Sequence, residues 1–315
     1  MFGRLLDVKI KNDAGSSITL VDHTLGNKAL VSEADIVCMP NQTRTSLVLK
    51  INNLDKYTRN IIKTDEYKYI TVEFGYRDFN GGTLGKIFEG TLQRMITQRP
   101  SPETSLTVMY AYELGDAYNY GFFSGYIPAG TTLYDTAMRI ASEGEVQIPL
   151  VCSEILKSYV YKNDKSLYGS QMTLLQEIAE SVGNIIFMHN MGKVYMITST
   201  ENAESEVIVM SGVDEKGKLS SASGLIGLPT LEDDGLSFEC LINPNMRIYS
   251  TVLISNEFIG NAQEGFEGKA SAGAEYDENG LYVVTRIETH VTNGPEESKM
   301  NVRALARQYY LEDTE

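Results

Sequence analysis

Apolar and polar residues alternate along long stretches of this chain, and a period of two is the mark of a strand with one buried face. In TSLVLKI, Leu47, Leu49 and Ile51 share a face, and in YITVEFGY, Ile70, Val72 and Phe74 do the same. GKIFEGTLQRMITQR and TSLTVMYAYEL extend the pattern, joined by PSPE, whose prolines and polar residues make a turn. Long strands linked by tight turns imply a barrel or sandwich up to about Phe123. One short helix interrupts them: in NLDKYTRNIIK, Asp55 is placed to cap the first turn, and Tyr57, Ile61 and Ile62 lie near one face. Such a helix would plug an open end of a small barrel.

The period then changes. In YIPAGTTLYDTAMRIASEG, Thr131 is the expected N-cap, Leu133, Ala137, Ile140 and Ala141 recur at helical spacing, and Gly144 ends the helix. A second helix runs from a cap at Ser170 through Leu174, Leu175, Ile178, Ala179 and Val182 to Gly183. NIIFMHNMGKVYMIT reads as a hairpin turning at Asn190 to Gly192. After STENAESE the β pattern returns, in EVIVMSGVDEKGKL, GLYVVTRIETHVTNG and SKMNVRALARQYY. The Gly- and Ala-rich segment 258–280 lacks periodicity and reads as a long mobile loop. The expected domains are therefore 1–123, mainly β; 124–200, a small α+β domain; and 201–315, again mainly β.

Several function classes fall away. A net charge of −15 with no basic cluster excludes a tight nucleic-acid binder, because that affinity comes from Lys and Arg on phosphates. An acidic surface still suits nucleic acid passing without sticking. No apolar run approaches the roughly 20 residues of a membrane-spanning helix, and MFGRLLDVKIKND reads as a strand, not as a signal peptide. Cys38, Cys152 and Cys240 are too far apart for metal or redox motifs and are expected to be buried free thiols.

His23, His189 and His290 show no metal-ligand or nucleophile spacing. The acids Glu232, Asp233 and Asp234 could supply the two carboxylates of a glycoside hydrolase. Adjacent residues point in different directions, however, and Asp234-Gly235 is a turn signal, so the cluster reads as a hairpin tip. YDENG lacks the alternating acids of a calcium loop, and FNGGTLG lacks the Lys-Ser/Thr of a phosphate loop. No catalytic, cofactor-binding or metal residue is expected. Tyrosines cluster in YAYELGDAYNYGFFSGY, where strand packing explains them and a contact surface is the alternative.

Three motifs together carry a resemblance. The first is Asn53, Leu54, Thr58 and Arg59 in NNLDKYTRNIIK. The second is Gly75 and Tyr76 closing YITVEFGY, followed by Phe88 and Gly90 in GKIFEGTLQR. The third is SGLIGLPTLEDDGLSFECLINPNMRIYSTVLI, with Gly224, Leu225, Ile226, Gly227 and Pro229, a turn at Gly235, then Phe238, Leu241, Asn243 and Pro244. In this order they resemble the baseplate hub proteins of contractile-tailed bacteriophages, the tail-tube-like family that carries the central spike.

The resemblance implies a mainly β chain with an α+β part: two tail-tube-like β-barrel domains flanking a small α+β middle domain. It implies a structural homotrimer, not an enzyme, that links the tail tube protein to the central spike protein. Other baseplate proteins would be further partners, viral DNA would pass through unbound, and the place would be the virion tail baseplate, assembled in the host cytoplasm. Gly-Leu-Ile-Gly-x-Pro, Gly224 to Pro229, would be the close-packed connection into the second barrel, with Phe238 and Leu241 buried and Asn243-Pro244 breaking the strand. One departure is that the position after NPNMRI often carries glycine in such proteins, and here Tyr249 and Ser250 follow. The alternatives of another class are a tail-tip cell-wall hydrolase and a carbohydrate-binding adhesin.

Overall fold

The computed structural model describes residues 3–39, 44–64, 67–77, 83–198, 201, 207–213, 219–220, 224–232, 235–255, 259 and 279–307. They divide into two compact units, one of the residues up to Tyr112 with those from 207 onward, the other from Glu113 to Glu201. The protein is mainly β.

The first part of the larger unit supplies β1 (Arg4–Lys11), β2 (Ser17–Val21), β3 (Ser32–Cys38), β4 (Ser46–Asn52), α1 (Lys56–Lys63), β5 (Tyr69–Tyr76), β6 (Gly85–Gln98) and β7 (Leu106–Tyr112). In β4 the alternation is kept in full, with Leu47, Leu49 and Ile51 buried and their neighbours half-buried. In β5 both faces are covered along most of the strand. Helix α1 begins where Asp55 accepts a hydrogen bond from the Thr58 amide at 2.8 Å, and it buries Ile62. Tyr57 lies outward at 75% exposure, not beside the isoleucines as its spacing suggested.

The smaller unit holds α2 (Gly115–Tyr120), β8 (Phe122–Ile127), α3 (Leu133–Glu143), β9 (Leu150–Cys152), β10 (Lys165–Ser170), α4 (Gln171–Glu180), β11 (Ile185–Asn190) and β12 (Lys193–Thr198). Strands β11 and β12 form the expected hairpin, turning at Met191 and Gly192, both at positive φ, and β9 pairs with β12 in parallel. Helices α3 and α4 bury Ala137, Ile140, Leu175 and Ile178 in one core with Val194 and Met196 of β12. Three details differ from the sequence expectation. The cap of α3 is Thr132, whose hydroxyl accepts from the Asp135 amide, not Thr131. Ser170 precedes α4 but makes no side-chain cap. Tyr118 and Tyr120 lie on α2, so the tyrosine run is not one strand.

The chain returns to the larger unit with β13 (Ile208–Val213), β14 (Leu219–Ser220), β15 (Leu225–Glu232), β16 (Gly235–Cys240), β17 (Thr251–Ile254), β18 (Leu281–Thr292) and β19 (Lys299–Ala306). All strands of this unit belong to one 14-stranded sheet, running β14-β13-β17-β18-β3-β4-β7-β6-β5-β1-β2, with β15-β16-β19 branching from β18. Two sets of seven strands are thus spliced at one long strand. The N-terminal part of β18 pairs with β17, its C-terminal part with β3, and β19 covers the other edge. Among the described residues the pairing closes no barrel. The segment expected as a mobile loop (258–280) lies outside the described residues, apart from Ile259, Asn279 and Gly280, and so do residues 214–218 of EVIVMSGVDEKGKL.

Candidate functional site

The residues of the first motif build the start of α1. Asn53 adopts φ +56°, and its side-chain oxygen accepts from the Ser105 amide at 2.9 Å while its own amide donates to the Ser105 carbonyl at 2.7 Å. This pins the helix to the entry of β7. Leu54 is buried, and the Thr58 hydroxyl and amide on Asp55 hold its carboxyl below the usual carboxylate range. The Arg59 side chain donates back to the Asp55 carbonyl at 3.4 Å.

The second and third motifs meet in space. Tyr76, at the end of β5, accepts a hydrogen bond on its hydroxyl from the Ile242 amide at 3.2 Å, and burial pushes its phenol up. A methyl group at Gly85 would overlap the Pro244 ring, and the Arg247 guanidinium donates to the Lys86 carbonyl at 3.2 Å. Gly75 faces the Thr83 carbonyl with no room for a Cβ, and Gly90 lies where a Cβ would meet the Phe88 ring and the Tyr112 carbonyl oxygen at 2.6 Å. These glycines therefore allow close approach of backbone within the first set of strands. The segment 241–250 runs from the β5–β6 hairpin to β18, where the Tyr249 amide donates to the Val284 carbonyl at 2.7 Å. It is a second seam between the two sets, beside the β18–β3 ladder.

Leu225 and Ile226 pair with Cys240 and Glu239; the register then skips Gly227 to Pro229 before Thr230 meets Ser237. Gly227 takes φ +71° with open space around it, and Pro229 is buried. The Gly-x-Pro is thus a bulge, a place where a strand tolerates proline, and not a close contact at Gly227. Gly224 binds the Leu241 amide through its carbonyl at 2.7 Å. Phe238 is buried as expected, whereas Leu241 is half-buried and Ile242 takes the interior position. Asn243 turns the chain by accepting from the Asn245 amide at 3.0 Å. Glu232 pairs with Gly235 across the hairpin end; Asp233 and Asp234 lie outside the described residues.

Tyr249, one of the two residues that follow NPNMRI, adopts φ +66° while its side chain is 5% exposed. The left-handed backbone costs a non-glycine residue about 1–2 kcal/mol, which the buried ring offsets. Tyr249→Ala and Tyr249→Gly should both destabilise, and glycine should be the better of the two by about 1 kcal/mol, the reverse of its usual disadvantage in a strand or helix. Urea unfolding of the two variants checks the order; alanine above glycine would mean that the backbone relaxes.

The histidines are each engaged. His23 donates from its amide to Asp7 at 2.8 Å, and its ring nitrogen lies 2.6 Å from the same carboxylate. His290 Nδ1 lies 2.6 Å from Asp35, and His189 Nε2 lies 3.0 Å from the Tyr118 hydroxyl. Asp7, Asp22 and His23 are close enough to surround a cation, a grouping their sequence spacing did not suggest. Asp22 spends an oxygen on the Thr24 amide and hydroxyl, and Asp7 on His23, so these groups lock the chain that follows β2.

The thiols behave differently from one another. Cys240 is buried, whereas Cys38 and Cys152 are half-buried, Cys38 lying 3.2 Å from the Thr45 hydroxyl. Burial, helped by Glu239, pushes the Cys240 thiol up to about 12; burial, then Glu154 and Glu201, does the same for Cys152. Burial also takes Tyr249 up to about 12. Unfolding frees these groups to ionise near their ordinary values of 9.0 and 10.0. The unfolded state then holds fewer protons, so stability should fall as pH rises from about 9 towards 12 and should not respond to them below that window. Urea midpoints at about pH 8 and about pH 10.5 test the sign.

A family model described as baseplate hub gp41 matches residues 17–261. No curated protein sequence matches the chain. Among solved structures, the 43 kDa tail protein of prophage MuSo2 from Shewanella oneidensis is similar with a TM-score of 0.58 at 8% identity, over 97% of this chain and 98% of that one. A tail protein from Neisseria meningitidis MC58 gives 0.56 at 10% identity over 99% of both chains. An Escherichia coli component of the type VI secretion system, described as structurally similar to T4 tail proteins gp27 and gp5, gives 0.55 at 9% identity, over 88% of this chain and 73% of that one. These likenesses establish a tail-protein fold. With three motifs assembled into one β framework and the family model matched over most of its length, this chain belongs to the baseplate hub gp41 family.

Proposed function

We propose that the protein is the structural hub of a phage tail baseplate, a homotrimer that closes a ring, links tail tube to central spike and lines the channel through which DNA passes. The three-domain division at 1–123, 124–200 and 201–315, with two tube-like modules around an α+β insert, belongs to this reading. Three copies would present six such modules and adapt a sixfold tube to a threefold spike. The observation that supports it best is the doubled set of seven strands spliced through β18 and β3. Such a role rests on surfaces and symmetry and asks for no catalytic group, cofactor or metal. Its partners are further copies of itself, the tail tube protein, the spike and neighbouring baseplate proteins, and it acts in the virion after assembly in the host cytoplasm. The net charge of −15 keeps passing DNA from adhering.

Light scattering with negative-stain images of the purified protein tests the ring. A closed trimer with a central hole is expected, and a monomer at high concentration would overturn it. One observation favours the adhesin alternative: Tyr126 and Tyr168 are exposed on one face of the β8–β10 ribbon, with Phe122 stacked edge-on against Tyr168 at 4.7 Å. Glycan binding by the isolated protein, lost in Tyr168→Ala, would move that reading ahead.

A further inference from the structure

Helix α1 gathers its cations on one side. At 3.6 residues per turn, Arg59, Lys63, Lys56, Asn60 and Tyr57 follow one another around a continuous arc, and Ile62 is buried outside that arc. Lys56, Tyr57, Asn60 and Lys63 are exposed and Arg59 is half-buried. Among the described residues no ion pair includes Lys56, Arg59 or Lys63, and Asp55, the acid nearest the helix start, serves as its cap. Asp65 and Glu66, which follow the helix, lie outside the described residues. The chain as a whole carries 42 acidic against 27 basic residues, so a second copy offers such a stripe an excess of acids.

We infer that this stripe is where one copy of the chain docks on an acidic face of the next copy. The inference rests on the ring reading and names the contact that would close it. Charge decides the geometry. A two-fold symmetric contact through α1 would set stripe against stripe, and like charges repel. An attractive contact must join the stripe to a different, acidic patch, which makes it head-to-tail, the kind of contact that closes rings. Arginine and tyrosine, both on the arc, are the residue types that most often carry interface energy. The competing anion is a nucleic-acid backbone, which the same cations would also attract.

The test compares the full-length protein with its Lys56→Gln/Arg59→Gln/Lys63→Gln variant by sedimentation velocity at low and high salt. The unaltered protein should assemble, and assembly should weaken with salt as the charges are screened. The variant should associate about tenfold more weakly at low salt, with little salt dependence left. A Lys56→Arg/Lys63→Arg variant keeps the charge and should assemble normally, which separates lost charge from lost fold. If the triple variant fails to fold, Lys56→Gln/Lys63→Gln alters exposed side chains alone and should still weaken assembly. An unaltered protein that assembles beside an equally assembling triple variant overturns this inference and leaves the hub reading standing. A monomeric unaltered protein overturns the hub reading itself. Retention of duplex DNA by the unaltered protein, lost in the variant while assembly persists, overturns the inference in favour of a nucleic-acid contact.

Discussion

Replacing Tyr282 by alanine is expected to cost about 3–5 kcal/mol and to lower the melting temperature of the larger unit by about 10 °C or more. Tyr282 is wholly buried, on the one strand the two seven-stranded sets share, and lies opposite Val252 on one side and Ala306 on the other. Losing its ring leaves a cavity flanked by two ladders, which paired strands relax into poorly. Tyr282→Phe keeps the ring and should keep most of the stability, whereas Tyr57→Ala, which empties no interior space, should change stability by no more than about 0.5 kcal/mol. Urea unfolding followed by exposure of the buried Cys240 thiol measures all three. Equal stability of Tyr282→Ala and Tyr57→Ala would show that the splice at β18 is not the centre of this unit's core.

Gln171→Ala should be as damaging to the smaller unit. Gln171 is fully buried; its amide nitrogen donates to the carbonyls of Ile140 at 2.6 Å and Val146 at 2.9 Å, and its oxygen accepts from the Val146 amide at 3.1 Å. Alanine would leave these backbone groups unpaired in the interior, at about 1–3 kcal/mol each, for a loss of about 3–5 kcal/mol. Gln171→Glu should be no better, because a carboxylate has no proton to offer the two carbonyls. Cys152 lies in this unit and Cys240 in the other, so alkylation during unfolding reads them separately. Early labelling of Cys152 with Cys240 still protected is expected; simultaneous labelling would mean that the two units melt together.

Gln171 also shows why part of the structure escaped a reading of the sequence. As the first residue of a helix it looks like surface, and its partners lie 31 and 25 positions earlier, at Ile140 in α3 and at Val146 in the loop that follows, where Gly144 leaves room for the amide. Nothing local announces such a contact. Ser170, which has the composition of a cap, makes no side-chain cap bond. Thr131 and Thr132 are equivalent by composition, and the choice between them depends on which hydroxyl reaches the Asp135 amide. Tyr249 is the opposite case. The sequence pointed to Tyr249 or Ser250 as the place of a missing glycine, and the left-handed φ lies at Tyr249.

What the sequence determined by itself is what depends on near neighbours. A period of two made β4 and β5, a period near 3.6 made α3 and α4, and Met191-Gly192 turned a hairpin, because each follows from backbone geometry and burial within a few residues. The family motifs were legible for the same reason, being short runs of turn and contact residues. Tertiary structure alone decided that β4 pairs with β7, that β18 serves both sets of strands, and that Tyr76 and Gly85 meet Ile242 and Pro244. It also decided that, among the described residues, Lys56, Arg59 and Lys63 enter no ion pair. Pairing order and charge environment are set by long-range packing among many strands of similar pattern, and a strand's alternation says which face is buried without saying which neighbour will bury it.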